Sequence, residues 1–283
     1  IIYCSLTGYG QTGPYRYLPG HDINYIGYSG ILGLIGEKDG KPIVPGVQIA
    51  DIGGGALLSL SAICMALFHR EKTGNGQYID VSMLDGAVSW LYASVSDFFA
   101  SNVTPERGKN RLDGKFACYD VYETKDKKYL SIGANELKFW ENICVLIEKP
   151  EWIELHEAPD DVQIQLKKEL TEVFKTRNLE EWLDLLKYED TCVGPVYDID
   201  QIFTDPQLIA RSMFTKMQHP VSGEINQIGF PIKFSKTPGN IRHHAPLLGE
   251  HTEEILLNLH YSHKQINHLR MNGVIGENRF EQA

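Results

Sequence analysis

An α/β fold carrying a second, smaller α+β unit is expected, and three features of the sequence predict it. Over the first hundred residues, short apolar runs alternate with glycine turns and long helical patterns. A polar stretch from Ser101 to Lys115, rich in Asn, Arg, Lys and Gly, then breaks that rhythm. Beyond it, a hairpin signal leads into a run of helical patterns. At 283 residues and 42% hydrophobic content, the chain can bury a substantial core. Its formal net charge of −10 argues against a nucleic-acid partner or an anionic membrane surface, both of which need clustered Lys and Arg.

Each element follows in order. Ile1-Ile2-Tyr3-Cys4-Ser5-Leu6 reads as a strand entered midway, too short for a membrane span and without the basic lead of a signal peptide. A glycine loop from Gly8 to Pro14 precedes a short helix beginning near Asp22, and a second loop holds Gly36, Gly40, Pro42 and Pro45. Leu57, Leu60, Ile63, Cys64 and Leu67 recur at helical spacing until Gly74 and Gly76 end the run. Gln77 to Met83 reads as a strand, and a helix is expected from Asp85 toward Ala100. In the smaller unit, Tyr119–Thr124 and Tyr129–Ala134 flank the turn Lys125-Asp126-Lys127, followed by helices over 136–147, 162–175 and 179–187. From Gly194 onward Pro206, Pro220, Pro231, Pro238 and Pro246 break the chain into short segments, read as an extended return path. The expected organisation is a large domain over 1–105, a small α+β domain over 106–200 and a return to the large domain over 201–283.

Five cysteines, Cys4, Cys64, Cys118, Cys144 and Cys192, lie far apart with no CxxC pair, which suits reduced thiols in a reducing compartment. His243-His244, Glu250-His251 and His260-x-x-His263 fit no zinc spacing, and no metal is expected. Arg107, Lys109, Asn110, Arg111 and Lys115 form a basic stretch, read as a solvated interdomain loop before a phosphate contact.

Gly8-Tyr9-Gly10-Gln11-Thr12-Gly13 matches the dinucleotide fingerprint after a strand, but Pro14 follows at once and Pro19-Gly20 closes the segment before the required helix could form. A tight loop whose backbone approaches a ligand is the better reading. His21, in Gly20-His21-Asp22-Ile23-Asn24-Tyr25, stands beside a helix start whose free N–H groups could meet a ligand oxygen. Asp51 opens Asp51-Ile52-Gly53-Gly54-Gly55; an acid there is an ordinary cap, but three glycines weaken a helix start by about 1 kcal/mol each, so close approach of a ligand is expected to compensate. Glu136 reads locally as a first-turn helix acid.

In order along the chain, Gly8-Tyr9-Gly10-Gln11-Thr12-Gly13-Pro14, the His21 and Asp51 motifs, Gly74-Asn75-Gly76-Gln77, Asp80-Val81-Ser82-Met83 and Leu248-Gly249-Glu250-His251-Thr252 resemble the alpha-methylacyl-CoA racemases of the family III CoA-transferase superfamily. The resemblance implies a Rossmann-like large domain, a small domain and an interlocked homodimer. It implies that His21 and Asp51 are the two acid/base residues, that Glu136 hydrogen-bonds and orients His21, and that Gly20, His21, Asp22, Ile23, Asn24 and Tyr25 contact the CoA thioester. The Asp22 backbone N–H would lie near the enolate oxygen.

The implied reaction is racemisation of 2-methyl-branched acyl-CoA by α-proton removal and return through an enolate, an isomerase needing no cofactor beyond the CoA of its substrate. Two alternatives stand beside it. One is a CoA transferase using Asp51 as a nucleophile, and the other is a non-catalytic CoA-ester-binding remnant. The superfamily carries a further Rossmann-like segment ahead of the glycine loop, whereas this sequence opens on that loop, so a large domain lacking its N-terminal part and an exposed sheet edge near the start are expected. Family members work in cytosol, mitochondria and peroxisomes, which implies an intracellular protein.

Overall fold

In the computed structural model, which describes residues 1–276, β1 (Tyr3–Thr7) pairs in parallel with β2 (Tyr78–Ser82), Tyr3 opposite Tyr78 and Thr7 opposite Ser82. Parallel neighbours need a crossover. Here it contains α1 (Asp22–Ser29) and a 25-residue helix, α2 (Ile49–Thr73). Gly74, at φ +74°, ends α2 in the left-handed conformation and returns its N–H to the Arg70 carbonyl.

The start of α2 differs from the sequence reading. Its first nine residues, Ile49–Leu57, are wound as a π-helix, so the helix begins two turns before the apolar periodicity does. The glycine triplet explains the difference. A side-chain carbon on Gly53 would fall 2.1 Å from the Trp90 ring, and one on Gly54 would fall 2.9 Å from the Ala87 nitrogen and the Met83 carbonyl oxygen. What approaches these glycines is therefore helix α3 (Met83–Ser89) and the tryptophan that follows it, rather than a ligand. The single helix expected from Asp85 toward Ala100 breaks at Trp90-Leu91, and α4 (Tyr92–Ser101) resumes beyond it. By length and composition α2 is apolar enough to cross a membrane. Yet Ala50 and Gly53 to Gly55 are packed away within the protein, while Leu57, Leu60, Met65, Leu67 and Phe68 remain exposed.

The hairpin forms as its turn chemistry dictates. β3 (Tyr119–Glu123) and β4 (Tyr129–Gly133) pair antiparallel, with Lys127 at φ +63° in the turn, and β5 (Val193–Val196) adds to the other edge of β4. Asp126 anchors that turn. Its Oδ1 accepts from the Thr124 hydroxyl at 2.6 Å and from the Leu179 N–H at 3.0 Å, capping a helix from another part of the chain. Those bonds hold the Asp126 carboxyl below its ordinary range, the Thr124 bond contributing most.

Against the sheet pack α5 (Leu137–Leu146), α6 (Asp160–Phe174) and α7 (Leu179–Leu186), enclosing Trp140, Ile143, Leu166, Leu170, Phe174 and Leu186. Two of the buried indoles are satisfied by carbonyls: Trp140 Nε1 donates to the Trp152 carbonyl at 2.9 Å and Trp182 Nε1 to the Phe174 carbonyl at 2.8 Å. Gln163 is buried among them, accepting from the Ala117 N–H at 2.9 Å and donating to the Leu155 carbonyl at 2.7 Å. Gln163→Leu should therefore cost about 2 kcal/mol in urea unfolding, because the Ala117 N–H loses its only side-chain acceptor among the described residues. A smaller cluster, Tyr25, Ile26, Ile31, Ala50 and Ala87, sits where α1, α2 and α3 meet.

The chain divides into two units, Ile1–Val196 and Tyr197–Ala283. In the second, the proline-broken stretch holds more regular structure than its prolines suggest. α8 (Pro206–Ala210) is capped by Asp205, β6 (Phe214–His219) and β7 (Gly223–Ile228) form an antiparallel hairpin, and α9 (Thr252–Asn258) precedes α10 (His263–Met271). Glu250 folds back on its own loop, accepting from the Leu247 N–H at 2.7 Å and meeting His244 Nε2 at 2.8 Å.

Candidate active site

The glycine loop after β1 is braced from its own strand and from β2. Thr7 Oγ1 accepts the Gly10 N–H at 2.9 Å, and the Asp80 carboxylate accepts the Gln11 N–H at 3.0 Å. Gly10 and Gly13 take φ of +84° and +81°, which glycine adopts at little cost. The space at Gly8 is taken by Tyr25, whose ring atoms would lie 2.5 Å from an added side-chain carbon. At Gly20 the corresponding distance to the same ring is 2.8 Å. Tyr25 is buried, packs edge-on against Tyr9 at 5.1 Å and donates its hydroxyl to the Gly20 carbonyl at 2.5 Å. Burial pushes its phenol up, with Tyr9 and Asp51 adding to the shift.

The tyrosine thus fixes the peptide that precedes His21. His21 is the N-cap of α1 with extended backbone, φ −129° and ψ 173°, and its N–H donates to Asn24 Oδ1 at 3.1 Å. The imidazole is exposed, as are Ile23 and Asn24.

Asp22, one residue on, is buried, and its side chain leaves its own helix. Asp22 Oδ1 accepts the N–H of Ala50 at 2.6 Å and that of Asp51 at 3.0 Å. These are two of the free amides at the start of α2, for which Gln48 offers no side-chain cap. Each such charge-assisted bond is worth about 1.5–3 kcal/mol, which offsets the cost of burying the carboxylate. The consequence is geometric, because one side chain joins the backbone beside His21 to the backbone of Asp51.

Asp51 is half-buried, and its carboxyl is pushed above the ordinary range by burial first and by the Asp22 charge second. His21 pulls it the other way, which puts the imidazole within electrostatic reach of the carboxyl. The site therefore pairs a carboxyl raised above its ordinary range with an exposed imidazole, each at a helix start.

Glu136 stands apart. It is the exposed N-cap of α5 and lines a cavity of about 670 Å³ with Arg111, Asn135, Glu141, His156 and Glu157. No hydrogen bond or ion pair joins it to His21 among the described residues. The basic stretch is engaged within the protein. Arg107 donates to the carbonyls of Gly33, Glu37 and Gly40, Lys109 pairs with Glu106, Lys115 with Asp160, and Arg111 with Glu157 at 2.6 Å. The Arg111 guanidinium holds the Glu157 carboxyl below its usual value.

The sequence pattern described as CoA-transferase family III matches residues 1–252. This chain belongs to that family. Succinyl-CoA:glutarate CoA-transferase of Mus musculus is 32% identical over 281 residues, covering 97% of this chain and 64% of that protein. Alpha-methylacyl-CoA racemase of Homo sapiens is 32% identical over 290 residues, covering 100% of this chain and 73% of the racemase. A CAIB/BAIF family protein from Brucella suis shares the fold at a TM-score of 0.77 and 30% identity, over 92% of this chain and 68% of that one. The chain thus spans 64% of the length of the succinyl-CoA:glutarate CoA-transferase it matches.

Membership of family III bears out the superfamily and the α/β fold expected from the ordered motifs. Its members include racemases and CoA-transferases at equal identity to this chain, so the reaction has to be argued from the site. Sequence reasoning passed over two features of that site. The Asp22 carboxylate gave no signal, since an acid in a helix's first turn is unremarkable, and its bond partners lie 28 and 29 residues away. The tyrosines were readable as a cluster only in spacing, Tyr9, Tyr15, Tyr25 and Tyr28 being drawn together by the loop.

Proposed function

We propose that this chain carries a racemase site for 2-methyl-branched acyl-CoA thioesters, in which His21 and Asp51 move the α-proton as alternating acid and base. The observation that carries the reading is the joined pair of helix starts, with the Asp51 carboxyl pushed up beside an exposed imidazole. A proton must be removed from one face of the α-carbon and supplied to the other. With His21 neutral and Asp51 protonated, one enantiomer reacts; with His21 protonated and Asp51 ionised, the other does. The two states are closer in energy when the carboxyl's proton affinity rises toward that of imidazole, and the environment of Asp51 shifts it in that direction. The enolate oxygen would be met by the Asp22 N–H, and Gly20, Ile23, Asn24 and Tyr25 would border the thioester. The proton transfer itself requires no cofactor, CoA being part of the substrate.

Glu136 fits this scheme as the orienter of His21 if it is supplied by a second copy, in a homodimer. The exposed apolar side chains of α2, together with Trp90, Tyr92 and Phe99, offer surface of the kind that such an association covers. The five free cysteines fit a reducing, intracellular setting. The transferase reading draws support from the relatives that carry that name. It asks Asp51 to attack as a carboxylate and leaves the exposed imidazole of His21 without a task.

Incubation of one enantiomer of a 2-methylacyl-CoA in deuterated water separates these readings. α-Deuteration with loss of chirality is expected. Transfer of the CoA to a free carboxylic acid without deuteration would replace the racemase by the transferase, and a folded protein silent in both assays would leave a CoA-ester-binding role.

A further inference from the structure

We propose that Asp22 is a positioning residue whose carboxylate, by accepting the Ala50 and Asp51 amides, fixes the start of the Asp51 helix against the start of the His21 helix. The inference rests on the reading of His21 and Asp51 as a catalytic couple. His21 and Asp22 are consecutive, so loss of the clasp frees the start of the Asp51 helix from the backbone that carries the imidazole. Without it, the first amides of a π-wound helix containing three glycines would have no side-chain cap, and such a helix start has little intrinsic order. The contact is also buried, which keeps water from competing for those amides.

Charge gives the clasp a second effect. Burial does most to raise the proton affinity of Asp51, the Asp22 charge adds to it, and His21 lowers it. The other nearby acids are engaged or remote: Asp80 on β2 is taken by the Gln11 amide, and Asp85 on α3 is exposed at its helix's first turn. Tyr25, packed beside the pair, stays neutral because burial raises it further.

Two substitutions separate geometry from charge. Asp22→Asn keeps an oxygen that accepts both amides and removes the charge. Asp22→Ala removes both. In amide hydrogen exchange, Ala50 and Asp51 should stay protected in Asp22→Asn and lose protection in Asp22→Ala. In the α-deuteration assay, Asp22→Ala should be slowed about thirtyfold by displacement of the acid. Asp22→Asn should instead shift the acid limb of the pH profile to lower pH, since Asp51 loses an upward push. A residue acting only on stability would leave that limb in place. Continued protection of both amides in Asp22→Ala, or an unmoved acid limb in Asp22→Asn, would overturn the proposal. If Asp22→Ala does not fold, the pH profile of Asp22→Asn decides. If the unmodified protein gives no deuteration, the proton-transfer reading fails, and amide protection alone decides for or against the clasp.

Discussion

His21→Ala is expected to slow α-deuteration of a single 2-methylacyl-CoA enantiomer by about 10³-fold, close to 4 kcal/mol of transition-state stabilisation. Removing the imidazole removes one of the two groups that must face the α-carbon, and water held nearby is a far weaker base at a fixed position. Little change in stability should accompany the loss. The side chain is exposed, and the bond to Asn24 is made by the His21 backbone N–H, which alanine retains. A circular-dichroism melt unchanged within a few degrees, beside collapsed exchange, is the expected result. Exchange at the original rate would remove His21 from the mechanism. The two enantiomers should be affected alike in kcat/KM, since both pass through the same enolate and need both groups.

How far the site was legible in the sequence depends on whether its order is local. The position of His21 at a helix start is written in Gly20-His21-Asp22, because the glycine and the acid on either side are what a helix start uses, and α1 begins at Asp22 as expected. Asp51 was legible as an acid beside a helix but not as a residue inside one. Its glycines read as a breach in the pattern, and only the packing of α3 makes them part of α2. Glu136 shows the opposite limit. Local sequence puts it at the head of α5, where it is, but no short-range signal says which histidine it serves, and within one chain it borders the same cavity as Arg111 and His156.

In the C-terminal unit the missed hairpin had a signal. Phe214–His219 and Gly223–Ile228 flank Pro220-Val221-Ser222, and Gly223 takes φ +69°. The prolines outweighed it, although Pro220 stands in the turn rather than in a strand.

Gly86→Ala tests the packing that makes Asp51 part of a helix. A side-chain carbon on Gly86 would stand 2.0 Å from the Gly54 carbonyl oxygen and 2.7 Å from its Cα. Both neighbours are backbone, so no rotamer relieves the contact, and α3 and α2 must move apart. Gly54 lies three residues beyond Asp51 on α2, so the displacement reaches the carboxyl directly. Overpacking should cost about 2 kcal/mol in urea unfolding, partly offset by the roughly 1 kcal/mol that alanine gains over glycine in a helix. The catalytic loss should be larger than the stability loss suggests, about 10²-fold in α-deuteration, because a shift near 1 Å in one acid/base group spoils the alignment of both. Gly27→Ala supplies the contrast. It lies inside α1 with nothing within 4 Å of an added side-chain carbon, so the same substitution there should leave stability unchanged or raise it by up to about 1 kcal/mol. Equal losses at Gly27 and Gly86 would trace the effect to helix flexibility. A loss confined to Gly86 would trace it to the backbone contact that holds Asp51 in place.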